Sequence, residues 1–397
     1  RTDWQFSQRT GNVGVVTDYS TFAIHGYRDN SDARRQQLNT VVTVDAKPDT
    51  RIKLIANIFD MPYAKDAIGL KASEFASNPM AAGNYAITDG AQKIVSQNQF
   101  GIVVEQKIQN DLQLQARAYT GTRNNLQFQA RSTASATPKW TGLDRHYGGM
   151  GVQVKGKERL GLEKLLDWVI GYEQDSSAEQ RQAGSSSGGV KVGSITRNEL
   201  NKATNSDFFT QVNWKLISAW TITTGIRQSS VILKSNDFYF SDGDGSGSVT
   251  YKATNPVLGA TWHITDTVNL YLNQGKGFET PTLSESAYTV NGTSPTALPN
   301  GIFNANLLAS RSQHLELGTK WTPNVSSRID AAFFRIKTSN EIVTAQSSGG
   351  TTAYTNAAET LRQGFELATR QQFNENWKGM FSTSYVRAIY ENYYSSY

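Results

Sequence analysis

Ser206-Asp-Phe-Phe-Thr-Gln-Val-Asn-Trp-Lys-Leu-Ile217 is the stretch that decides the fold of this chain, together with the turn Ser218-Ala219 and the returning segment Trp220–Lys234. Side chains of a β-strand alternate between its two faces. On one face the stretch places Phe208, Val212, Trp214 and Leu216, and on the other it places Gln211, Asn213 and Lys215. The pattern predicts two amphipathic strands joined by a tight turn.

The same unit recurs along the chain. The segments Asn255–Ile264 and Thr267–Gly277 flank the turn Thr265-Asp266, and the segments Arg311–Trp321 and Arg328–Val343 flank the turn Thr322–Ser327. Long Gly-, Ser- and Asn-rich stretches separate successive units. Short turns at one end and long loops at the other are typical of a transmembrane β-barrel.

Composition supports this fold class and excludes others. Hydrophobic residues make up 38% of the 397 residues, a low share that suits strands with one face on a wet lumen. The sequence contains no apolar run of 18 residues or more, which excludes helical membrane spans. Zero cysteines exclude disulfides and thiolate metal sites. A net charge of +5 is too small to indicate nucleic acid as a partner.

The tryptophans favour a membrane barrel over a soluble sandwich or propeller. In a membrane barrel, aromatic side chains gather at the interface, where the ring is half apolar and the indole N–H stays wet. Trp140 lies in a long segment, but six other tryptophans lie within a few residues of a short turn. These are Trp168, Trp214, Trp220, Trp262, Trp321 and Trp377.

The pattern predicts about sixteen antiparallel strands and one short helix, around Ala72–Ala76. The last strand is predicted over Trp377–Tyr394, and the second over Val13–Tyr27. The predicted outer loops are Asp29–Arg35, Ala64–Lys93, Gln129–Asp144, Gln180–Asn205, Ser235–Gly247, Thr280–Ser310 and Thr344–Asn356.

Three motifs in the second half carry a family resemblance. The first motif follows the end of one strand and is Gly275-Lys-Gly-Phe-Glu-Thr-Pro-Thr282. The other two lead into the next strand and are Asn304-Ala-Asn-Leu-Leu308 and Glu316-Leu-Gly-Thr-Lys320. In this order the motifs resemble the TonB-dependent outer-membrane receptors. The resemblance implies a 22-stranded barrel in the bacterial outer membrane, filled by a plug domain. Residues 1–397 would then be a partial barrel domain, without the plug, its TonB-contacting segment and several C-terminal strands.

A closer resemblance concerns the ligand. His25-Gly-Tyr-Arg-Asp29, Arg145-His-Tyr147, Phe278-Glu-Thr-Pro-Thr282 and Arg362-Gln-Gly364 look most like the receptor for pyrroloquinoline quinone. The chain departs from the wider family at Ala309-Ser310, where Pro-Glu is frequent. The family resemblance therefore leaves two ligand classes open, a ferric siderophore and a quinone cofactor.

Either ligand would be anionic, and arginine is the side chain best suited to forming paired hydrogen bonds with its carboxylates. Aromatic neighbours at the same level could stack on a ring. The candidate ligand-binding residues near the loop ends of the strands are Arg28, Arg123, Arg145, Tyr147, Tyr239, Phe278 and Arg362, with Tyr27 as a further aromatic neighbour.

Other functions have weaker support. Asp242-Gly-Asp-Gly-Ser-Gly-Ser248 begins like a calcium loop, but Ala253 occupies the twelfth position, where a glutamate is needed. No nucleophile elbow or comparable catalytic cluster is visible, so an enzyme is not expected. The four histidines are far apart in sequence, and neither a metal site nor a cofactor is expected. The main alternative function is that of a passive outer-membrane porin, which would share the strand pattern.

Overall fold

The computed structural model describes residues 1–160, 165–295, 297–348 and 350–392. They form one sheet of sixteen antiparallel strands, in which each strand pairs with its neighbours in sequence. The strands are β1 (Thr2–Thr10), β2 (Val13–Ile24), β3 (Ala33–Lys47), β4 (Thr50–Lys65), β5 (Gln92–Gln109), β6 (Leu112–Gln129), β7 (Lys139–Arg159), β8 (Leu165–Ser187), β9 (Val190–Ile217), β10 (Trp220–Asp237), β11 (Gly247–Thr265), β12 (Val268–Glu279), β13 (Ser310–Asn324), β14 (Ser327–Ser348), β15 (Thr351–Gln372) and β16 (Lys378–Asn392).

The predicted all-β meander and its sixteen strands are confirmed. One short helix, α1 (Ala72–Ser77), lies in the loop between β4 and β5, as predicted. Its first turn is held by the Lys71 N–H, which donates to Glu74 Oε2 at 2.8 Å. Over the described residues, β1 and β16 do not pair with each other, so the sheet is open. No helix in those residues is long and apolar enough to cross a membrane.

Strand register places the side chains on two continuous faces. Trp214 pairs with Ile222 across β9 and β10, and Leu317 pairs with Leu272 across β13 and β12. These residues belong to the apolar face, on which Leu317 remains 46% exposed. Large apolar side chains are thus presented outward, as expected of a wall that meets lipid, and the opposite, polar face lines the lumen.

The tryptophans of the apolar face lie at the turn ends of the strands. Trp220 pairs directly with Trp262, and their rings stack with centroids 5.8 Å apart. Trp321 pairs with Val268 on the neighbouring strand. The predicted aromatic belt is therefore present at this end of the wall. Trp140 lies outside it, buried near the loop end of β7 beneath the Lys191 ammonium.

The predicted loop Gln180–Asn205 is wrong, because these residues extend a hairpin. Gln180 pairs with Leu200, and the ladder of β8 and β9 continues to Ser187 and Val190. About 9–11 residues suffice for a strand to cross the membrane, whereas β9 has 28. Only the half near the turn carries the apolar alternation. The outer half of the hairpin stands beyond the apolar band, so it lacks the sustained apolar alternation by which a strand is predicted from sequence.

Other predicted boundaries also shift. The predicted loop Thr344–Asn356 is largely strand, since β14 runs to Ser348 and β15 starts at Thr351. The predicted loop Gln129–Asp144 is shortened, because β7 begins at Lys139. The second strand ends at Ile24, before the predicted Tyr27. The last predicted strand reaches Tyr394, and its final two residues lie outside the described residues.

The outer loops are fastened to one another around a buried carboxylate. Asp89 is 1% exposed and accepts bonds from Arg131 Nη2 at 2.8 Å and Arg131 Nε at 3.1 Å. Its own carbonyl accepts from the N–H of Gly189, at the tip of the β8–β9 hairpin. Gly90 has φ +67°, and a Cβ there would lie 2.4 Å from the Gly189 nitrogen. The loop between β4 and β5 thus contacts the hairpin tip through a close approach of backbone groups.

Replacement of Leu317 by Arg tests which face meets lipid. A charge near the middle of the lipid face costs roughly 2–4 kcal/mol. We expect Leu317→Arg to lower the unfolding free energy by about that amount, measured by denaturant titration in lipid vesicles. Glu316→Arg, on the polar face of the same strand, is the comparison. Equal tolerance of both substitutions would contradict the assignment of faces.

Gly90→Ala tests the packing between the loops. The added methyl group would both clash with Gly189 and strain a left-handed backbone, at a cost of about 1–3 kcal/mol. We expect faster hydrogen exchange in residues 66–91 of this variant. Gly69→Ala is the matched control, because a Cβ at Gly69 meets nothing within 4 Å. Identical exchange in the two variants would show that the close approach is unimportant.

Candidate ligand-binding site

The middle of the polar face carries a network of alternating charges across β6 to β10. Arg117 Nη2 lies 3.0 Å from Glu173 Oε1, and Arg227 Nη2 lies 3.3 Å from Glu173 Oε2. The same Arg227 nitrogen lies 2.7 Å from Asp207, a carboxylate that is 2% exposed. Two cations and two carboxylates balance within this network. It stabilises the wall and leaves no excess charge for a ligand.

At the next level toward the outer loops, positive charges outnumber their acidic partners. Arg123 on β6 pairs directly with Arg145 on β7. Arg145 donates to Glu179 Oε2 from Nε at 2.8 Å, whereas Arg123 Nη1 donates to the neutral Gln97 Oε1 at 2.6 Å. No carboxylate of the described residues forms an ion pair with Arg123. Because like charges directly opposite each other are destabilising, an anionic group placed beside Arg123 would be stabilised.

Two tyrosines line the wall below these arginines. Tyr147 follows Arg145 by two residues and shares its face, and its hydroxyl donates to Gln99 Oε1 at 3.0 Å. The Tyr147 and Tyr119 rings are tilted, with centroids 6.3 Å apart. The Tyr119 hydroxyl donates to Asp175 Oδ1 at 2.6 Å. The rings are thus fixed by hydrogen bonds and offer aromatic surface beside the unbalanced arginine pair.

Three predicted site residues, Arg123, Arg145 and Tyr147, are therefore brought together. Two other predicted arginines lie elsewhere with their own partners. Arg28 donates from Nη2 to the carbonyls of Ile68 at 2.7 Å and Ala81 at 2.9 Å, and so holds the loop between β4 and β5. Arg362 on β15 donates from Nη1 to Glu341 Oε2 at 2.8 Å. Neither forms a hydrogen bond or ion pair with the Arg123–Arg145 level within the described residues.

The two remaining predicted aromatics belong to the loop region of β10 to β13. Tyr239 is half-buried, and its N–H donates to Asp237 Oδ1 at 2.8 Å. Phe278 packs against a small core formed by Leu233, Tyr251, Phe303 and Ala309. This core arises because the segment between β12 and β13 folds over the polar face, where the Tyr251 hydroxyl donates to the Leu307 carbonyl at 2.7 Å. Phe278 therefore has a packing role.

A second basic cluster was missed by sequence reasoning. Arg197 and Arg181 share the buried carboxylate of Glu199, and their guanidinium carbons lie 4.5 Å and 5.6 Å from the Tyr288 ring centroid. Arg181 Nη2 also donates to the Tyr288 hydroxyl at 3.1 Å. Both arginines fall in the stretch predicted as a loop. The only sequence signal for this cluster was the spacing of charged residues, at Arg181 and at Arg197-x-Glu199.

The loop resembling a calcium site is held by its own backbone. Asp237 Oδ2 accepts from the Gly245 N–H at 2.9 Å. Hydrogen bonds from the hydroxyl and the N–H of Ser246 lower the pKa of Asp244. Donors of the chain thus occupy oxygens of Asp237 and Asp244. Over the described residues, histidines and acidic residues form no group of three suited to a metal ion.

Comparison with known proteins identifies the family. The model of the family described as "TonB dependent receptor-like, beta-barrel" matches residues 2–396. The chain belongs to this family. The resemblance of the motifs between Gly275 and Lys320 is thereby confirmed at the level of the family. The match does not reach the pyrroloquinoline quinone receptor subgroup.

Solved structures share the fold of this TonB-dependent receptor barrel. The unliganded ferric citrate transporter FecA superposes with a TM-score of 0.79 at 16% identity, covering 98% of this chain and 56% of that one. The siderophore receptor PiuA from Acinetobacter baumannii gives 0.77 at 13% identity, covering 98% and 62%. The copper transporter OprC gives 0.73 at 13% identity, covering 98% and 60%. The chain thus spans about three-fifths of these structures.

Glu199→Gln tests the second basic cluster. Removing one partner of a buried ion pair typically costs about 3–5 kcal/mol, because the remaining charge stays buried and unpaired. We expect the segment around Tyr288 to detach from the hairpin and to exchange its amide hydrogens faster. Tyr288→Phe is the control, since it removes one hydrogen bond and keeps the ring, for a loss of about 0.5–1.5 kcal/mol. If Glu199→Gln changed exchange no more than Tyr288→Phe, the carboxylate would not hold the cluster.

Proposed function

We propose that this wall belongs to an outer-membrane receptor that captures a scarce anionic ligand, a ferric siderophore, for TonB-dependent active uptake. The observation that carries the proposal is the Arg123–Arg145 pair, in which, among the described residues, only Arg145 has a carboxylate partner, Glu179. Both guanidiniums lie on the polar face, near the outer ends of their strands. A ligand carboxylate or ferric-chelate oxygen there would complete the balance of charge and form charge-assisted hydrogen bonds.

A quinone cofactor such as pyrroloquinoline quinone is the second candidate ligand. It offers several carboxylates on a flat ring, and Tyr119 and Tyr147 place aromatic surface next to the arginines. The same geometry would therefore bind its acid groups and stack on its ring. The structures compared do not distinguish the two ligands, because at 13–16% identity they share only the fold with this chain.

In this proposal the wall does no chemistry, and its residues bind and orient the ligand. Uptake requires a closed barrel, because the free edges of β1 and β16 would leave backbone hydrogen-bonding groups unpaired in lipid. We infer that further strands cover these edges and that a plug fills the lumen and contacts TonB. The length of the relatives supports this inference, since the chain covers 56–62% of the three compared.

Ligand titration of the intact receptor tests the proposal. The probes are ferric citrate, pyrroloquinoline quinone and ferrichrome, which is an uncharged ferric hydroxamate chelate. We expect saturable binding of one anionic probe, at least tenfold tighter than binding of ferrichrome. Equal or tighter binding of ferrichrome would reject an anionic ligand. Tighter binding of the quinone than of ferric citrate would select the second candidate.

Active uptake is separated from passive flow by energy dependence. Cells that carry the receptor should accumulate the bound probe only while the proton-motive force is maintained. A proton uncoupler should therefore abolish accumulation. Entry that continued unchanged after uncoupling would identify the protein as a passive porin.

Arg145→Ala tests the residue assignment. Loss of a hydrogen bond to a charged group should weaken ligand binding by about 1.5–3 kcal/mol. Arg145→Lys should restore only part of the affinity, because an ammonium cannot form the paired bonds of a guanidinium. Arg328→Ala is the matched control, since Arg328 also pairs with a carboxylate, Asp330, at the turn end of the wall. Affinity unchanged in both Arg145 variants would remove this residue from the site.

A further inference from the structure

The apolar face has a break near its outer end, between β11 and β12. Their ladder stops at the pair Val257–Gly275, although β11 continues outward to Gly247. The carbonyl of Lys252 therefore has no partner strand on that side. Arg311 reaches it from β13, and its Nη2 donates to the Lys252 oxygen at 2.9 Å. The two strands diverge, and an arginine side chain bridges the space between them.

Two adjoining grooves open where the strands diverge, and Arg311 and Thr254 line both. The first has a volume of about 630 Å³ and also contains Lys252, with Tyr172 and Phe208 on the side toward the turns. The second has a volume of about 380 Å³ and contains Lys276, Lys337 and Glu359. We call the exposed cations Lys252, Lys276 and Arg311 the lateral basic cluster.

The lateral basic cluster is not neutralised by the protein. Lys337 lies 3.2 Å from Glu359 and 3.6 Å from Glu391, so this neighbouring group has one more negative than positive charge and offsets one of the three cations. Within the described part of the chain, Lys252 and Lys276 form no side-chain hydrogen bond or ion pair, and Arg311 forms no ion pair. Arg311 instead lies over the Phe278 ring, at 5.6 Å from its centroid. None of the three cations forms an ion pair within the described residues, and the excess negative charge beside Lys337 offsets only one of them.

The height of the cluster coincides with a membrane interface. Lys252 precedes Trp262 by ten residues on β11, and Arg311 precedes Trp321 by ten residues on β13. Ten residues of strand rise about 33 Å, which a tilt of about 40° reduces to about 25 Å, the height of the apolar band. The tryptophans mark one edge of this band. The lateral basic cluster therefore lies at the other edge, facing the lipid.

We propose that the lateral basic cluster binds the phosphate group of an anionic lipid in the outer leaflet. The ammonium and guanidinium groups would pair with the phosphate oxygens. Tyr172 and Phe208 are 39% and 45% exposed on the same face, and they would contact the start of an acyl chain. The groove thus matches both halves of a lipid, whereas a free phosphate would use only the cations. This inference rests on the transmembrane fold and not on the identity of the transported ligand.

The test uses the intact receptor in uncharged detergent, titrated with a fluorescent phosphatidic acid. We expect saturable binding, at least tenfold tighter than binding of the equally labelled phosphatidylcholine. The variant Lys252→Gln/Lys276→Gln should weaken binding at least fivefold. Lys139→Gln/Lys378→Gln is the matched control, because it also removes two exposed lysines but at other places on the wall. This control should bind phosphatidic acid as the unaltered receptor does.

Each other outcome overturns the proposal. Equal binding of both lipids, or equal loss in the test and control variants, would show that no specific phosphate site exists. Displacement of the lipid by an equal concentration of glycerol phosphate would assign the cluster to a soluble anion. Binding of the transported ligand, measured on the same variants, should stay unchanged, so that failure here is distinguishable from failure of the proposed uptake function.

Discussion

The pairing of backbone groups across neighbouring strands is the constraint on which the rest of this structure depends. In lipid no water is available to N–H and C=O groups, so each strand must find its partners on both sides. The sequential antiparallel order meets this requirement with short turns at one end. It also fixes the alternation of side chains, which separates an apolar from a polar face. Where the ladder ends early, as at Val257 and Gly275, a side chain supplies the missing donor.

Charge is balanced in the middle of the polar face, and the level above it differs. Arg117, Arg227 and their carboxylates form a closed network that strengthens the wall. The pair Arg123–Arg145 has only Glu179, and its excess charge lies beside two tyrosines. The number of arginines alone does not distinguish a neutralised network from one with excess positive charge. The position of each acidic partner decides which arginine is neutralised within the wall and which keeps an excess charge.

Much of the fold was predictable because the membrane imposes a strict period. Stretches such as Phe208–Leu216 had to alternate between lipid and lumen, and the tryptophans had to lie at the interface. Beyond the apolar band this requirement ends, so the outer halves of β8 and β9 were predicted as loop. The site was predictable only in part. Arg123, Arg145 and Tyr147 come together because of strand register, whereas Arg28 and Phe278 serve packing that depends on how the loops fold.

The length of the β8–β9 hairpin determines where the sheet should unfold locally. Near its base each strand is flanked on both sides, but beyond Glu199 and Asp237 the ladder to β10 ends and β9 keeps only one partner. Local opening free energies should fall from the base of the hairpin to its tip, since fewer bonds must break together. At the tip, the Gly189 N–H donates to the carbonyl of Asp89, whose carboxylate is held by Arg131. The tip should therefore open locally by breaking few bonds, while the base of the hairpin stays paired within the wall.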